Sequence, residues 1–149
     1  MVKNFETIKE LYNNNCVNVP NKPGIYIVKL PDNFKVDILD TTTGINEYKG
    51  KSLLLEKDKL INKFDKISNN SVLYYGKAED LKRRIKQYVK YGYAEDRGHR
   101  GGRAIWQIKG CHDLIIEYYL NSFPREYEKK LLQEFKEKNN SYPFANWKG

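Results

Sequence analysis

Apolar residues recur along the chain in two rhythms, and these mark its elements. In residues 5–12, Phe5, Ile8, Leu11 and Tyr12 fall three and four apart, which predicts a short amphipathic helix. Asn13, Asn14 and Asn15 stop it, and Pro20 and Pro23 frame a turn. Residues 24–30 (GIYIVKL) are β-rich and nearly continuous in apolar character, the pattern of a buried strand. After a turn at 31–33, residues 34–39 alternate well enough for a second strand. Residues 47–55 read as a further strand and 57–64 as a short helix. Val72, Leu73, Tyr74 and Tyr75 form another buried strand, ended by Gly76. A helix over 79–91 places Leu81, Ile85, Tyr88 and Val89 on one face. Residues 92–102 are a polar loop and 103–108 a short helix. Residues 113–120 (DLIIEYYL) are a strong strand. Pro124 suits a first helical turn, 126–138 are the last helix, and Pro143 ends any extension. With no repeat, linker or second composition block, this order reads as one α+β domain.

The length of 149 residues fits a single domain. No apolar run approaches the ~18 residues of a membrane span, so no membrane partner is expected. The N-terminus lacks the apolar core of a signal peptide, so the expected location is cytoplasmic. Cys16 and Cys111 sit in no metal-ligand spacing and read as ordinary reduced thiols, and His99 and His112 are not paired for zinc. The 27 basic and 19 acidic residues leave a net charge of +8. Such a charge attracts polyanions, of which nucleic acid is the commonest in the cytosol. A solvated lysine-rich surface explains part of the same charge.

Two polar residues fall where apolar ones are expected. The last helix places Tyr127, Leu131, Leu132 and Phe135 on one arc, and Glu128 lies inside it. A carboxylate there is costly unless something positive meets it. Spacing alone leaves two readings open, a rim glutamate in a salt bridge or a metal ligand. On the middle helix, Lys82, Lys86 and Lys90 form an outward stripe. Arg84 lies instead at the edge of the apolar face, one turn before Tyr88. Either its stem covers the core while its head reaches water, or its guanidinium is aimed at a phosphate. In residues 98–103, glycines before a short helix would expose backbone N–H groups, with His99, Arg100 and Arg103 adding donors. That suits a DNA-backbone contact, against a merely flexible polar loop. Trp106 reads as core.

Pro23, Gly24, Ile25 and Tyr26 contain a verbatim GIY element. Tyr74, Tyr75 and Gly76 look like its YIG partner, with Tyr75 in place of Ile. The run from Tyr74 to Arg84 is similar to the strand–turn–helix block of the GIY-YIG endonucleases, in which an Arg follows Leu by three. Tyr88 falls where that family carries Tyr or His. Glu128, followed by Leu131 and Leu132, looks like its metal-binding Glu. Pro143, Phe144, Ala145 and Asn146 resemble its closing element, whose Asn supports the site. The resemblance covers residues 20–149, and its strength is six elements in order rather than any one tripeptide.

The resemblance implies a small domain with a three-stranded antiparallel central sheet flanked by helices. Residues 1–19 would be an N-terminal helical extension. Residues 31–70 would be an insertion between the first two core strands, because the family often joins them by a much shorter connection. That segment is open to three readings: DNA-contacting, dimerising to a homodimer, or decorative. The absence of a separate DNA-binding region fits the compact, restriction-enzyme-like members. The implied activity is metal-dependent hydrolysis of phosphodiester bonds in DNA, in a restriction or mobile-element setting. Tyr26 would activate the water, Tyr74 share or orient the proton, Arg84 bind the scissile phosphate, and Glu128 hold one Mg²⁺ or Mn²⁺. Lys77 and Tyr88 are candidate phosphate or water contacts, and Asn146 would orient the site. Lys82, Arg83, Lys86, His99, Arg100 and Arg103 are candidate nucleic-acid contacts. Two alternatives are a catalytically silent nucleic-acid-binding module and a nuclease acting on RNA or branched DNA.

Overall fold

The structure is a computed structural model that describes residues 4–67, 70–96 and 101–147. Its elements in chain order are β1 (Phe5–Thr7), α1 (Ile8–Asn13), β2 (Gly24–Lys29), β3 (Glu47–Tyr48), β4 (Lys51–Ser52), α2 (Lys57–Asp65), β5 (Val72–Ala78), α3 (Leu81–Tyr91), β6 (Ile115–Leu120) and α4 (Pro124–Asn139). Short 3-10 turns cover Arg103–Gln107 and Cys111–Asp113. The architecture is α+β, with a four-stranded antiparallel sheet in the order β1-β6-β2-β5 and a separate two-stranded hairpin, β3-β4.

The expected three-stranded sheet therefore gains a strand, because the first segment does not begin as a helix. Phe5, Glu6 and Thr7 pair with Glu117, Ile116 and Ile115 of β6. The helix starts only at Ile8, where Thr7 and Glu10 close a reciprocal capping box. The buried Glu6 carboxylate accepts from Asn14, Asn18 and the Tyr118 hydroxyl, which offsets the cost of burying it beside an edge strand.

Residues 34–39 do not join the sheet either. They run beside 107–109, through one isolated bridge between Ile38 and Ile108 and bonds from Leu39 N to Gln107 O and from Lys109 N to Asp37 O. Gln107 is buried and closes this seam, since its side chain reaches the backbone of Leu39 and of Leu55. The strand expected over 47–55 shrinks to the two-residue arms of the β3-β4 hairpin. Residues 31–70 thus hold a hairpin and α2, tied to the body by the Gln107 amide, by the backbone bonds at 37–39 and by Lys63 and Phe64 of α2 against Asn146 and Phe144.

Side-chain alternation on β5 assigns the helices to opposite faces of the sheet. Tyr74 stacks on Tyr88 of α3, whereas the next residue, Tyr75, meets Phe135 of α4 edge-on. The core lies on the α3 side around Tyr26, Tyr88, Trp106, Leu81 and Ile85. On α4 the buried residues are Pro124, Leu132 and Phe135. Tyr127, expected on this inward arc, is 42% exposed. Among the described residues no helix is long and apolar enough to cross a membrane.

Candidate functional site

β5 is an edge strand, and among the described residues Ala145 and Asn146 cover its edge from Leu73 to Tyr75. Ala145 N donates to Leu73 O at 2.8 Å. The Asn146 side chain then acts as a short strand: its Oδ1 accepts from Tyr75 N at 2.9 Å and its Nδ2 donates to Tyr75 O at 3.0 Å. Asn146 therefore holds the strand that carries Tyr74 and Lys77, and does not itself line the cleft beyond them. Lys63 of α2 in turn donates to the Asn146 carbonyl and lies 3.9 Å from the Trp147 ring centre.

Beyond Tyr75, a cleft of about 440 Å³ opens around the end of β5. Tyr26 and Tyr74 reach it from the α3 side of the sheet. Arg83, Arg84 and Gln87 come from α3, Lys77 from β5, and Pro124 and Glu128 from α4. The two faces of the sheet meet here because Lys77, by alternation, points to the α4 side. Its Nζ sits 3.2 Å from Glu128 Oε1. Glu128 lies one turn after Pro124 and one turn before Leu132, and its side chain is only 16% exposed. The helical arc thus carries the glutamate inward, but its cationic neighbour is Lys77 rather than Arg84. Arg84 instead donates to Gln87 Oε1 at 3.5 Å, a long bond that leaves its head on the cleft.

Gly76 sets the position of the tyrosines. β5 passes straight through it to Ala78 and does not end there. A Cβ on Gly76 would lie 2.2 Å from Tyr26 Cζ, so the glycine is the floor on which the ring rests. Gly102 plays the same part for Tyr74: it has φ +72° and no room for a Cβ beside that ring, at 2.9 Å from Cζ. Ring centroids are 6.0 Å apart for Tyr26 and Tyr74 and 5.8 Å for Tyr74 and Tyr88.

Burial dominates the acid–base character of these phenols. It pushes Tyr26 well above its ordinary value; Tyr74 adds to the rise, while the nearby Arg84 opposes it by charge and by hydrogen bonding. Burial also pushes Tyr74 up to about 12, against a lowering hydrogen bond from Tyr26. A hydrogen bond that raises one phenol and lowers the other is the pattern of Tyr26 donating to Tyr74. Tyr26 thus feels Arg84 on one side and Tyr74 on the other, and all three line the cleft. Tyr88 does not reach it: its buried hydroxyl donates to Gly102 O at 3.0 Å. A phosphate or water contact by Tyr88 is replaced by a structural one.

The remaining expected contacts divide. Arg83 lines the cleft. Lys82 and Lys86 are half-buried on the side of α3 that faces Cys16, and Arg103 starts the 3-10 turn; none of the three lines the cleft. His99 and Arg100 lie outside the described residues. Sequence reasoning missed Gln87, Glu79, Asp80 and Pro124 as cleft residues. Asp80 carries a readable signal, since it caps α3 by accepting from Arg83 N. Gln87 falls one helical turn after Arg84.

A metal site can be tested on the donor set. Among the described residues no group of three or more His, Cys, Asp or Glu is placed to hold an ion. Among these residues a caged structural metal does not fit. A hard cation that keeps several waters and shares a substrate phosphate needs only one or two carboxylates. Glu128 meets that demand, with one oxygen on Lys77 and a face on the cleft. No protein-family model, no curated protein sequence and no solved structure matches the chain.

Proposed function

We propose that the protein is a divalent-metal-dependent endonuclease of the GIY-YIG type that hydrolyses phosphodiester bonds in DNA. One observation carries the reading: a single cleft gathers Tyr26, Tyr74, Lys77, Arg84 and Glu128 from β2, β5, α3 and α4. These residues are far apart in sequence and include the two phenols, two cations and one carboxylate that the reaction requires. Lys77 and Arg84 offer N–H donors to the non-bridging oxygens, where charge grows as water adds to phosphorus. Tyr26, ionised by loss of its own proton to solvent, receives the proton of the attacking water, with Tyr74 beside it in the cleft. A Mg²⁺ or Mn²⁺ held by Glu128 would supply Lewis acidity to the phosphate and to the departing 3′ oxygen. Glu128 would hold that ion with the carboxylate that now faces Lys77, and Lys77 would then be available to the substrate phosphate.

A second reading concerns only Tyr26. Burial holds its proton, which favours a phenol whose oxygen accepts from the water and orients it over one that removes the proton. The test of the activity itself is direct. A set of supercoiled plasmids is incubated with purified protein and Mg²⁺ or Mn²⁺, with and without EDTA. Nicked or linear product with metal and none with EDTA is expected. Intact plasmid under every metal condition, from protein that binds DNA, would favour a silent binding module.

A further inference from the structure

Phe123 departs from two local rules at once. It is the N-cap of α4, where Ser, Thr, Asp or Asn normally satisfies a backbone N–H, and it makes no side-chain cap. Its ring is also 70% exposed, so it contributes nothing to the core. Yet the backbone under it is firmly held. Phe123 N donates to Asn121 Oδ1 at 2.8 Å, Asn121 N donates to Pro23 O at 3.0 Å, and Tyr127 N donates to Phe123 O at 3.1 Å.

Its position along α4 is what matters. The next residue, Pro124, lines the cleft, and so does Glu128 one turn later. Phe123 and Tyr127, also one turn apart and both exposed, form a parallel aromatic stripe one residue around the helix. Lys77, Arg83 and Arg84 line the cleft, and the two exposed rings stand next in sequence to Pro124 and Glu128, which line it too. A ligand that fits both parts is anionic at one point and presents a flat π-face one step away. We infer that Phe123 stacks on an unstacked nucleobase beside the phosphate held in the cleft, with Tyr127 as the second platform. The inference rests on the nuclease reading and adds to it that the strand is locally opened at the site.

The test uses the full chain and two labelled oligomers of equal length and charge, oligothymidylate and its abasic deoxyribose-phosphate counterpart, in EDTA. The wild type is expected to bind the base-bearing oligomer about tenfold or more tighter. Phe123→Ala should cut that preference several-fold while leaving affinity for the abasic oligomer unchanged, and Phe123→Trp should retain it. Because the ring is exposed, all three should melt alike. An undiminished preference in Phe123→Ala, no preference in the wild type, or equal loss on both oligomers overturns the inference. So does a wild-type dimer that Phe123→Ala makes monomeric without touching base preference, since the stripe would then belong to a second copy. Plasmid cleavage run in parallel separates the two claims. Base preference without cleavage supports the stacking and defeats the nuclease, whereas cleavage without base preference defeats only the stacking.

Discussion

Tyr26 carries its hydroxyl where a phenol holds its proton tightly: the side chain is 1% exposed, and burial outweighs the help it receives from Arg84. On the proposed mechanism, that proton must leave before the water can be deprotonated. The logarithm of the cleavage rate should therefore climb with pH through the alkaline range, with no plateau below about pH 9, since even a free phenol titrates near ~10. Tyr26→Phe should keep the ring on Gly76 and lower cleavage at least about 10²-fold. A plateau at neutral pH, or near wild-type cleavage by the phenylalanine variant, would remove Tyr26 as base. Much at this level was legible in the chain. Tyr26, Tyr74, Arg84, Lys77 and Glu128 were singled out, and all line one cleft. Tyr88 was not legible, because periodicity puts it on the core face without saying which way its hydroxyl turns. The neighbour of Glu128 was not legible either. Whether Lys77 or Arg84 meets it depends on strand alternation at the sheet edge, which helical spacing cannot reveal.

The element that organises the site is β5. Its continuation through Gly76 was misread as a stop, because glycine in sequence signals a turn as readily as a close approach. Here a ring fills the missing side chain's space, so Gly76→Ala is the sharpest test of the element. The added methyl, 2.2 Å from Tyr26 Cζ, must displace the ring or the strand. A loss of about 1–3 kcal/mol in denaturant unfolding is expected, with cleavage falling further than stability because the phenol moves. Unchanged stability and cleavage would mean that the strand yields freely. The buried strands β2 and β6 and the helices α3 and α4 were readable from apolar runs and helical spacing. The edge strand β1 was not, since Phe5 and Ile8 also satisfy a helical period. The failure of 34–39 to join the sheet was likewise hidden, because its partners at 107–109 are set by the buried amide of Gln107.

Across the whole molecule, buried phenols set the pH limits of the fold. Tyr26, Tyr74 and Tyr88 all have folded values raised by burial. Below the ordinary phenol value of ~10 both states keep these protons and stability does not depend on them. Above it the unfolded chain ionises first, so stability falls as pH rises. Burial lowers Lys63 to about 8, so the unfolded lysine holds more protons from there to ~10.5 and adds a rise with pH over that window. Burial raises Cys16 to about 11 and also raises Cys111, so the unfolded thiols ionise first above ~8.5 and oppose that rise. Thermal unfolding should therefore show no net gain above about pH 9 and a steep fall beyond about pH 10; a midpoint that keeps rising past pH 11 would contradict the burial of the three rings. The net charge of +8 was readable as attraction to polyanions, but not its partition. Arg83 and Arg84 face the cleft while Lys82 and Lys86 flank Cys16. Whether the whole assembly cuts DNA turns on Glu128. The most direct measurement is plasmid cleavage by wild type and Glu128→Gln across a Mg²⁺ and Mn²⁺ titration, with DNA binding and thermal unfolding followed on the same samples. A neutral amide is a poor ligand for a hard cation, yet keeps the size of the side chain. The variant should fold normally, bind DNA as tightly as the wild type or more so, and cut at least about 10²-fold more slowly. Full cleavage by Glu128→Gln at low metal would contradict the account.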